Sequence, residues 1–346
     1  MSSHVDTARH QRLDILVLGY YGVMNAGDDL LQASLTWVLR EHRLTFVRRL
    51  PALEFIHQFD LLIVGGGSIW PGFSFFQLGR SFARHLRIPF VVAGISAKRL
   101  NEQMAERTRP LADTALFFSV RDGFTMAALD HPRIKRGVDL FWSAPWFGDA
   151  PAALPAHHDL AVSMRGDAQP PWTPQALLAE KPAGESWIGW PFFYGEGRVD
   201  RGGVNDFQLL DKAGLTPPSS FSYLPLLQSR RVVTMRYHGL QIALRARKPF
   251  LVLPAELKLR HFCEDTGLED LIVETPKELA EHLGAVDAQG AALHDRLHAV
   301  RASLLEAGLR QRKDLLRVIE GIGSGKHKHR PGLLRRAARA ALRRLA

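Results

Sequence analysis

An arginine and a histidine two residues apart, in Arg236-Tyr-His-Gly239, carry the clearest chemical signal in the chain. Arginine presents a rigid fork of N–H donors to phosphate or carboxylate, and histidine moves a proton near neutral pH. The pair follows the apolar run Arg231–Met235 and precedes the helical stretch Leu240–Ala246, after which Phe250–Leu253 reads as a strand. Arg236, Tyr237 and His238 are therefore expected at the carboxyl end of a parallel strand, beside a helix start. Open α/β sheets bind ligands there, and the free N–H groups of the helix end favour an anion. A small anionic substrate is the expected ligand, with a buried, turn-stabilising histidine as the plainer alternative for His238.

The same positional logic picks out further residues. Arg165 ends the strand-like run Leu160-Ala-Val-Ser-Met164, and Glu256 and Lys258 follow the strand that ends near Leu253. The loop Gly19-Tyr-Tyr-Gly-Val-Met-Asn25-Ala-Gly27-Asp28-Asp29 leaves the first strand and enters the first long helix. Its glycines let backbone approach a ligand; Asn25 and Gly27 are candidate ligand contacts, and Asp28 is a candidate second base or a simple helix cap. Gly65-Gly66-Gly67 leaves another strand, and Arg121-Asp122 ends a third, where a structural ion pair competes with a binding role. No G-x-G-x-x-G dinucleotide fingerprint and no P-loop lysine accompany these loops, which disfavours a nicotinamide dehydrogenase. His157-His158 and Lys326-His-Lys-His329 lack carboxylate or cysteine partners at ligand spacing, so no metal is expected.

These residues need a scaffold of alternating strands and helices. Strands are expected at Asp14–Leu18, Thr45–Arg49, Asp60–Val64, Phe90–Gly94, Leu116–Val120 and Val138–Trp142. Alternation resumes with Asp159–Met164, Trp187–Trp190, Arg231–Met235, Phe250–Leu253 and Leu271–Val273, after a proline-rich linker at Ser143–His158. Helical stretches lie at Leu30–His42, Phe75–His85, Glu102–Ala112 and Leu293–Ile319, and a glycine-rich loop is expected between Trp190 and Gln208. The pattern predicts an α/β protein of two doubly wound Rossmann-like domains, 13–150 and 158–320, facing a cleft. No internal repeat is evident.

A net charge of +10 suggests nucleic acid until it is located. Eight Lys/Arg and no acid fall in 326–346, leaving residues 1–325 at about +2. Helical spacing sorts that tail into an apolar arc (Leu333, Leu334, Ala337, Ala341, Leu342, Leu345) and a basic one (Arg335, Arg336, Arg339, Arg343). The tail therefore reads as a basic amphipathic helix for an anionic membrane surface, with a solvated basic tail as the alternative and no specific nucleic acid. The polar N-terminus, the single cysteine Cys263 and the absence of a long apolar run predict a cytoplasmic protein, peripheral on the inner face of the membrane through its tail.

Taken in order from about Ile15 to Gly267, Gly19–Asp28, Gly65-Gly-Gly-Ser68, Ser119-Val-Arg-Asp122, Ser163-Met-Arg165, Met235-Arg-Tyr-His-Gly239 and Glu256-Leu-Lys258 resemble the polysaccharide pyruvyl transferase family. The resemblance implies a fold like that of the GT-B glycosyltransferases and transfer of the pyruvyl group of phosphoenolpyruvate onto two saccharide hydroxyls, as a cyclic ketal, in exopolysaccharide or cell-surface glycan synthesis. It further implies that Arg165 and Arg236 clamp the donor, that the Tyr237 backbone assists, and that His238 is the acid–base residue. No cofactor is implied, and the acceptor is a saccharide, often lipid-linked. The chain departs from the family pattern where Glu256 stands for a usual aspartate and where Val138-Asp-Leu-Phe141 replaces a usual Asp-Pro segment. A nucleotide-sugar glycosyltransferase of the same fold and a non-catalytic membrane-surface scaffold are the competing readings.

Overall fold

The computed structural model describes residues 11–70, 82, 84–97, 102–146, 154–167, 171–194 and 204–324. The chain divides into two compact units, one of Met1–Tyr20, Ser34–Ser143 and Gly308–Ala346, the other of Tyr21–Ala33 and Ala144–Ala307. Linear boundaries at 13–150 and 158–320 differ from this division at three segments. Tyr21–Ala33 and the stretch from Ala144 to residue 150 group with the second unit, and the chain from Gly308 onward groups with the first.

The first unit holds six parallel strands, β1 (Asp14–Leu18), β2 (Arg43–Val47), β3 (Leu61–Trp70), β4 (Phe90–Ala97), β5 (Phe117–Val120) and β6 (Lys135–Arg136). Their spatial order is β2-β1-β3-β4-β5-β6. Helix α1 (Ala26–Val38) follows β1, α2 (Leu53–Ile56) precedes β3, and α3 (Glu102–Thr114) and α4 (Gly123–Leu129) flank β5. Leu61–Val64 are fully buried, as are Val91–Ala93. A sheet covered on both faces explains why these runs are continuously apolar and do not alternate.

Three sequence expectations change here. The glycine triplet is not a loop: β3 continues to Trp70, with Gly66 and Gly67 at φ of 81° and 84° and a register shift against β4 beyond Gly67. Only glycine holds such dihedrals inside a strand without strain. Val138–Trp142 is not a strand either. The edge strand is Lys135–Arg136, and Leu140–Ser143 form a buried 3-10 turn. The side-chain amide of Gln311 accepts from Val138 N (3.0 Å) and donates to Val138 O (2.9 Å), taking the bonds a neighbouring strand would supply. Finally, Ala144–Trp146 are not free linker, because the Arg245 guanidinium donates to the carbonyls of Trp146 (2.9 Å) and Ala144 (2.5 Å).

The second unit holds four parallel strands, β7 (His158–Ser163), β8 (Trp187–Gly189), β9 (Ser229–Thr234) and β10 (Phe250–Val252), in the order β10-β9-β7-β8. Its helices are α5 (Pro174–Ala179), α6 (Asp206–Lys212), α7 (Leu224–Leu227), α8 (Tyr237–Arg245), α9 (Leu257–Thr266) and the start of α10 (Leu279–Gly323). The strand expected at Leu271–Val273 is a 3-10 turn at Glu269–Leu271 with a single bridge from Ile272 to Val252. Helix α10 runs well beyond the expected Leu293–Ile319 and is broken at Gly290, whose φ of 44° is not helical.

Both units are Rossmann-like. In each, the first and third strands are neighbours and the second lies outside the first, so the winding reverses direction between the first and third. That reversal is the topological switch point, where ligands bind in open α/β sheets. No described helix is long and apolar enough to cross a membrane. Most of the expected helix Phe75–His85, part of the linker (147–153), the loop glycines Gly195, Gly197, Gly202 and Gly203, and the basic tail 326–346 lie outside the described residues.

Candidate functional site

At the switch point of the second unit, β7 and β9 run side by side with Ser163 level with Thr234. Arg165 and Arg236 each stand two residues further on, so the strand register alone sets two guanidinium groups at one sheet edge. Arg236 is also the N-cap of α8, with no side-chain cap bond from it. Thr234 Oγ1 instead accepts from Arg236 N (2.9 Å) and fixes the turn. Gly239 packs so closely on that hydroxyl that a Cβ would overlap it.

The charges are organised by carboxylates. Asp206, fully buried at the start of α6, accepts from Arg236 Nε (2.7 Å) and from its Nη2. The same carboxylate accepts backbone N–H bonds from Gly166 (2.9 Å), Phe192 (3.2 Å) and Phe193 (3.1 Å). Arg165 donates from Nε (2.7 Å) and Nη2 (2.6 Å) to Asp167, and its Nη1 lies 2.6 Å from Glu256. Glu256 in turn pairs with Lys258 at 2.5 Å, and the Lys258 ammonium lies 5.8 Å from the centre of the Tyr237 ring. Burial works against the Arg165 charge, but Asp167 and Glu256 outweigh it and raise the group further, so it is always charged. Burial likewise pushes the Asp167 carboxyl up, and the bonds and charge of Arg165, helped by Arg236, overcome that and hold it below the usual range.

The loop after β1 joins this edge. Asn25 bridges Phe193, Ala26 N donates to Phe192 O (2.8 Å) and Tyr194 N donates to Met24 O (3.1 Å). Asn25 Oδ1 accepts from Gly27 N (3.1 Å), so Asn25 caps α1, a helix that starts earlier than the expected Leu30. Asp28 and Asp29 lie in its first turn; Asp29 accepts from Gly22 N (3.1 Å), and burial raises its pKa more than that bond lowers it. Gly27 backs directly onto the His238 imidazole, and a Cβ there would overlap Nδ1. The ring of His238 also meets the Tyr237 ring edge-on at 5.6 Å.

Nine of the sequence-derived candidates thus sit in the second unit: Asn25, Gly27, Asp28, Arg165, Arg236, Tyr237, His238, Glu256 and Lys258. Gly66, Gly67 and Arg121 belong to the first. There the Arg121 side chain is almost fully buried, pairs with Asp139, and donates to Ser96 Oγ (3.1 Å) and Ser68 Oγ (2.8 Å). That closed network ties together the ends of β3, β4 and β5 and is structural in form. Asp122 caps α4 by accepting from Thr125 N (2.7 Å). Among the described residues no cluster of His, Cys, Asp and Glu has the arrangement of a metal site.

Sequence reasoning missed Asp206 and Asp167. The Asn205-x-x-Gln208 capping box was a usable sign of a helix start at 206. The pairing of Asp206 with Arg236, thirty residues away, has no local signature.

No protein-family model matches the chain, and neither does any curated protein sequence. Solved structures do match in fold. A glycosyltransferase of kitacinnamycin is 13% identical with a TM-score of 0.54, over 89% of this chain and 100% of that one. UDP-GlcNAc 2-epimerase from Neisseria meningitidis, bound to UDP-GlcNAc, is 11% identical with a TM-score of 0.54, over 88% and 99%. A glycosyltransferase from Rickettsia africae is 11% identical with a TM-score of 0.54, over 90% and 99%. The fold is accordingly the GT-B-like one, with two Rossmann-like units.

Proposed function

We propose that the chain is a transferase that modifies a saccharide and holds a phosphate-bearing donor at the β7/β9 switch point of its second unit. The observation that carries this is the level placement of Arg165 and Arg236 at neighbouring strand ends, with Lys258 and the start of α8 beside them. Arginine forks and helix N–H groups stabilise the charge that builds on a departing phosphate, and they do so before the reaction begins. His238, at the second position of α8 and against Gly27, is the proton-transfer group.

Two donors suit this arrangement. A nucleotide diphosphate sugar is the one that the fold comparisons support, since the similar structures are glycosyltransferases and nucleotide-sugar epimerases. His238 then takes the proton of the acceptor hydroxyl as that oxygen attacks the anomeric carbon, while the arginines hold the departing diphosphate. Phosphoenolpyruvate is the second reading, favoured by the compact Arg165, Arg236, Lys258 and His238 set and by the sequence resemblance. Here the enol carbon gains a proton, two hydroxyls add to the neighbouring carbon with loss of their protons, and phosphate leaves. No cofactor enters either scheme, and no structural comparison above names a pyruvyl transferase.

Calorimetric titration of UDP-glucose and of phosphoenolpyruvate into the wild type and Arg236→Lys decides between them. Lysine keeps the charge facing Asp206 but loses the bidentate fork. One donor is expected to bind saturably and to weaken at least about tenfold in the variant; failure of both donors at millimolar concentration would overturn the donor site. The tail 326–346 completes the proposal by drawing the enzyme to anionic membrane, where lipid-linked acceptors reside. Its deletion should abolish sedimentation with phosphatidylserine vesicles, and unchanged sedimentation removes that role.

A further inference from the structure

The two arginines of the site are held by their carboxylates in different ways. Arg236 gives one edge of its fork, Nε and Nη2, to Asp206, so Nη1 stays outside that pair. Arg165 spends all three nitrogens on carboxylates, Nε and Nη2 on Asp167 and Nη1 on Glu256. Asp206 is fully buried, sits at the start of a helix and is anchored by three backbone N–H groups. The Asp167 side chain is 19% exposed and lies two residues from Arg165, in the turn that leaves β7, where it accepts from the Nε–Nη2 edge.

We propose that Asp167 is a placeholder. Its carboxylate occupies the Nε–Nη2 edge of Arg165 that the donor's anionic group takes, and it swings out as the donor enters. This rests on the reading that the second unit's site takes an anionic donor, and it adds how that donor is selected. A bidentate edge accepts one oxyanion at a time. Exchange of Asp167 for a ligand keeps the part-buried guanidinium paired throughout, so the empty site never leaves a buried cation exposed to its own desolvation cost. The same exchange sets specificity: a ligand wins only if its oxyanion binds the fork more strongly than a carboxylate does. A phosphate dianion meets that test better than a carboxylate monoanion. Glu256 is the fixed side of the arrangement, because it is shared with Lys258.

The test is titration with inorganic phosphate, followed by phosphoenolpyruvate and UDP-glucose, of the wild type, Asp167→Asn, Asp167→Glu and the double variant Arg165→Met/Asp167→Asn. Asparagine keeps the size and turns one oxygen into a donor that the arginine edge repels. Phosphate should bind Asp167→Asn about tenfold more tightly than wild type, return to wild-type affinity in Asp167→Glu, and lose the gain in the double variant. Should Asp167→Asn not melt cooperatively, Asp167→Ser replaces it in the same comparison. Phosphate bound no more tightly by either neutral variant overturns the placeholder. Tightened phosphate with neither donor bound leaves the placeholder standing and removes the donor assignment. A donor bound by wild type and not tightened by the neutral variants removes the placeholder alone.

Discussion

Asp206→Asn is the substitution that most directly tests how the second unit is held together. The carboxylate takes two bonds on Oδ1, from Gly166 N and Arg236 Nη2, and three on Oδ2, from Arg236 Nε, Phe192 N and Phe193 N. An amide must point its NH2 group at one of these sets, and the cheaper orientation strands the two donors of the Oδ1 side. Each stranded buried donor costs about 1–3 kcal/mol, and Arg236 also loses its counter-charge. The sum is about 3–5 kcal/mol, which matches the cost of removing one partner from a buried ion pair. For a unit of this size that lowers the melting temperature by about 10 °C. Circular dichroism melts and urea titration read it directly. Arg236→Met alone should cost a similar amount by leaving Asp206 unpaired, and the double variant should cost less than the two together by at least ~2 kcal/mol. A loss below ~1 kcal/mol for Asp206→Asn, or an additive cycle, would falsify the view that this carboxylate organises the site.

Gly27→Ala places a methyl group against His238 Nδ1. The imidazole resonances of His238 should shift in an NMR spectrum and stability should fall by ~1–3 kcal/mol, because the added carbon meets the ring at its base, with Cγ at 3.0 Å; unmoved resonances would mean that the loop does not position the ring. Two glycines of α10 should respond in opposite directions. Gly284→Ala meets nothing and should gain about 1 kcal/mol from helix propensity, whereas Gly308→Ala overlaps the Trp142 carbonyl and should lose ~1–3 kcal/mol. Equal melts for the two variants would contradict the close approach at Gly308. Burial, reinforced by Glu269 and Asp270, pushes the Cys263 thiol up to about 12. The neutral thiol therefore persists at pH 8, and iodoacetamide should label it only in denaturant; labelling of native protein within minutes would refute this.

The scaffold was largely legible because its strands are buried on both faces, and unbroken buried runs such as Leu61–Val64 and Val232–Thr234 announce themselves without any partner. The placement of Arg165, Arg236 and His238 was legible for a related reason: a strand end followed by a helix start is a local pattern, and it is at such ends that the topology rule looks for a ligand. What escaped were features decided by distant residues. Val138–Trp142 has strand composition, but Gln311 fills its backbone bonds from far along the chain. The glycine triplet reads as a loop because glycine is rare in strands, and the bulge against β4 is visible only once the two are paired. Arg121-Asp122 reads as an ion pair or a ligand contact, whereas the carboxylate that Arg121 meets is Asp139, with Ser68 and Ser96 taking its other donors.

The way the chain threads its two units has a consequence for biosynthesis. Everything the second unit requires, Tyr21–Ala33 and Ala144–Ala307, has been made before Gly308 is added. The first unit begins at the N-terminus, yet Val138 finds its bonding partner and Trp142 its close helical neighbour only when Gly308 and Gln311 arrive. The order of completion is therefore the reverse of the order of synthesis: the half that starts first on the ribosome closes last. A nascent chain stalled near residue 307 would carry a finished second unit attached to a first unit that still lacks the Gln311 bonds, unlike proteins whose domains mature one after another from the N-terminus.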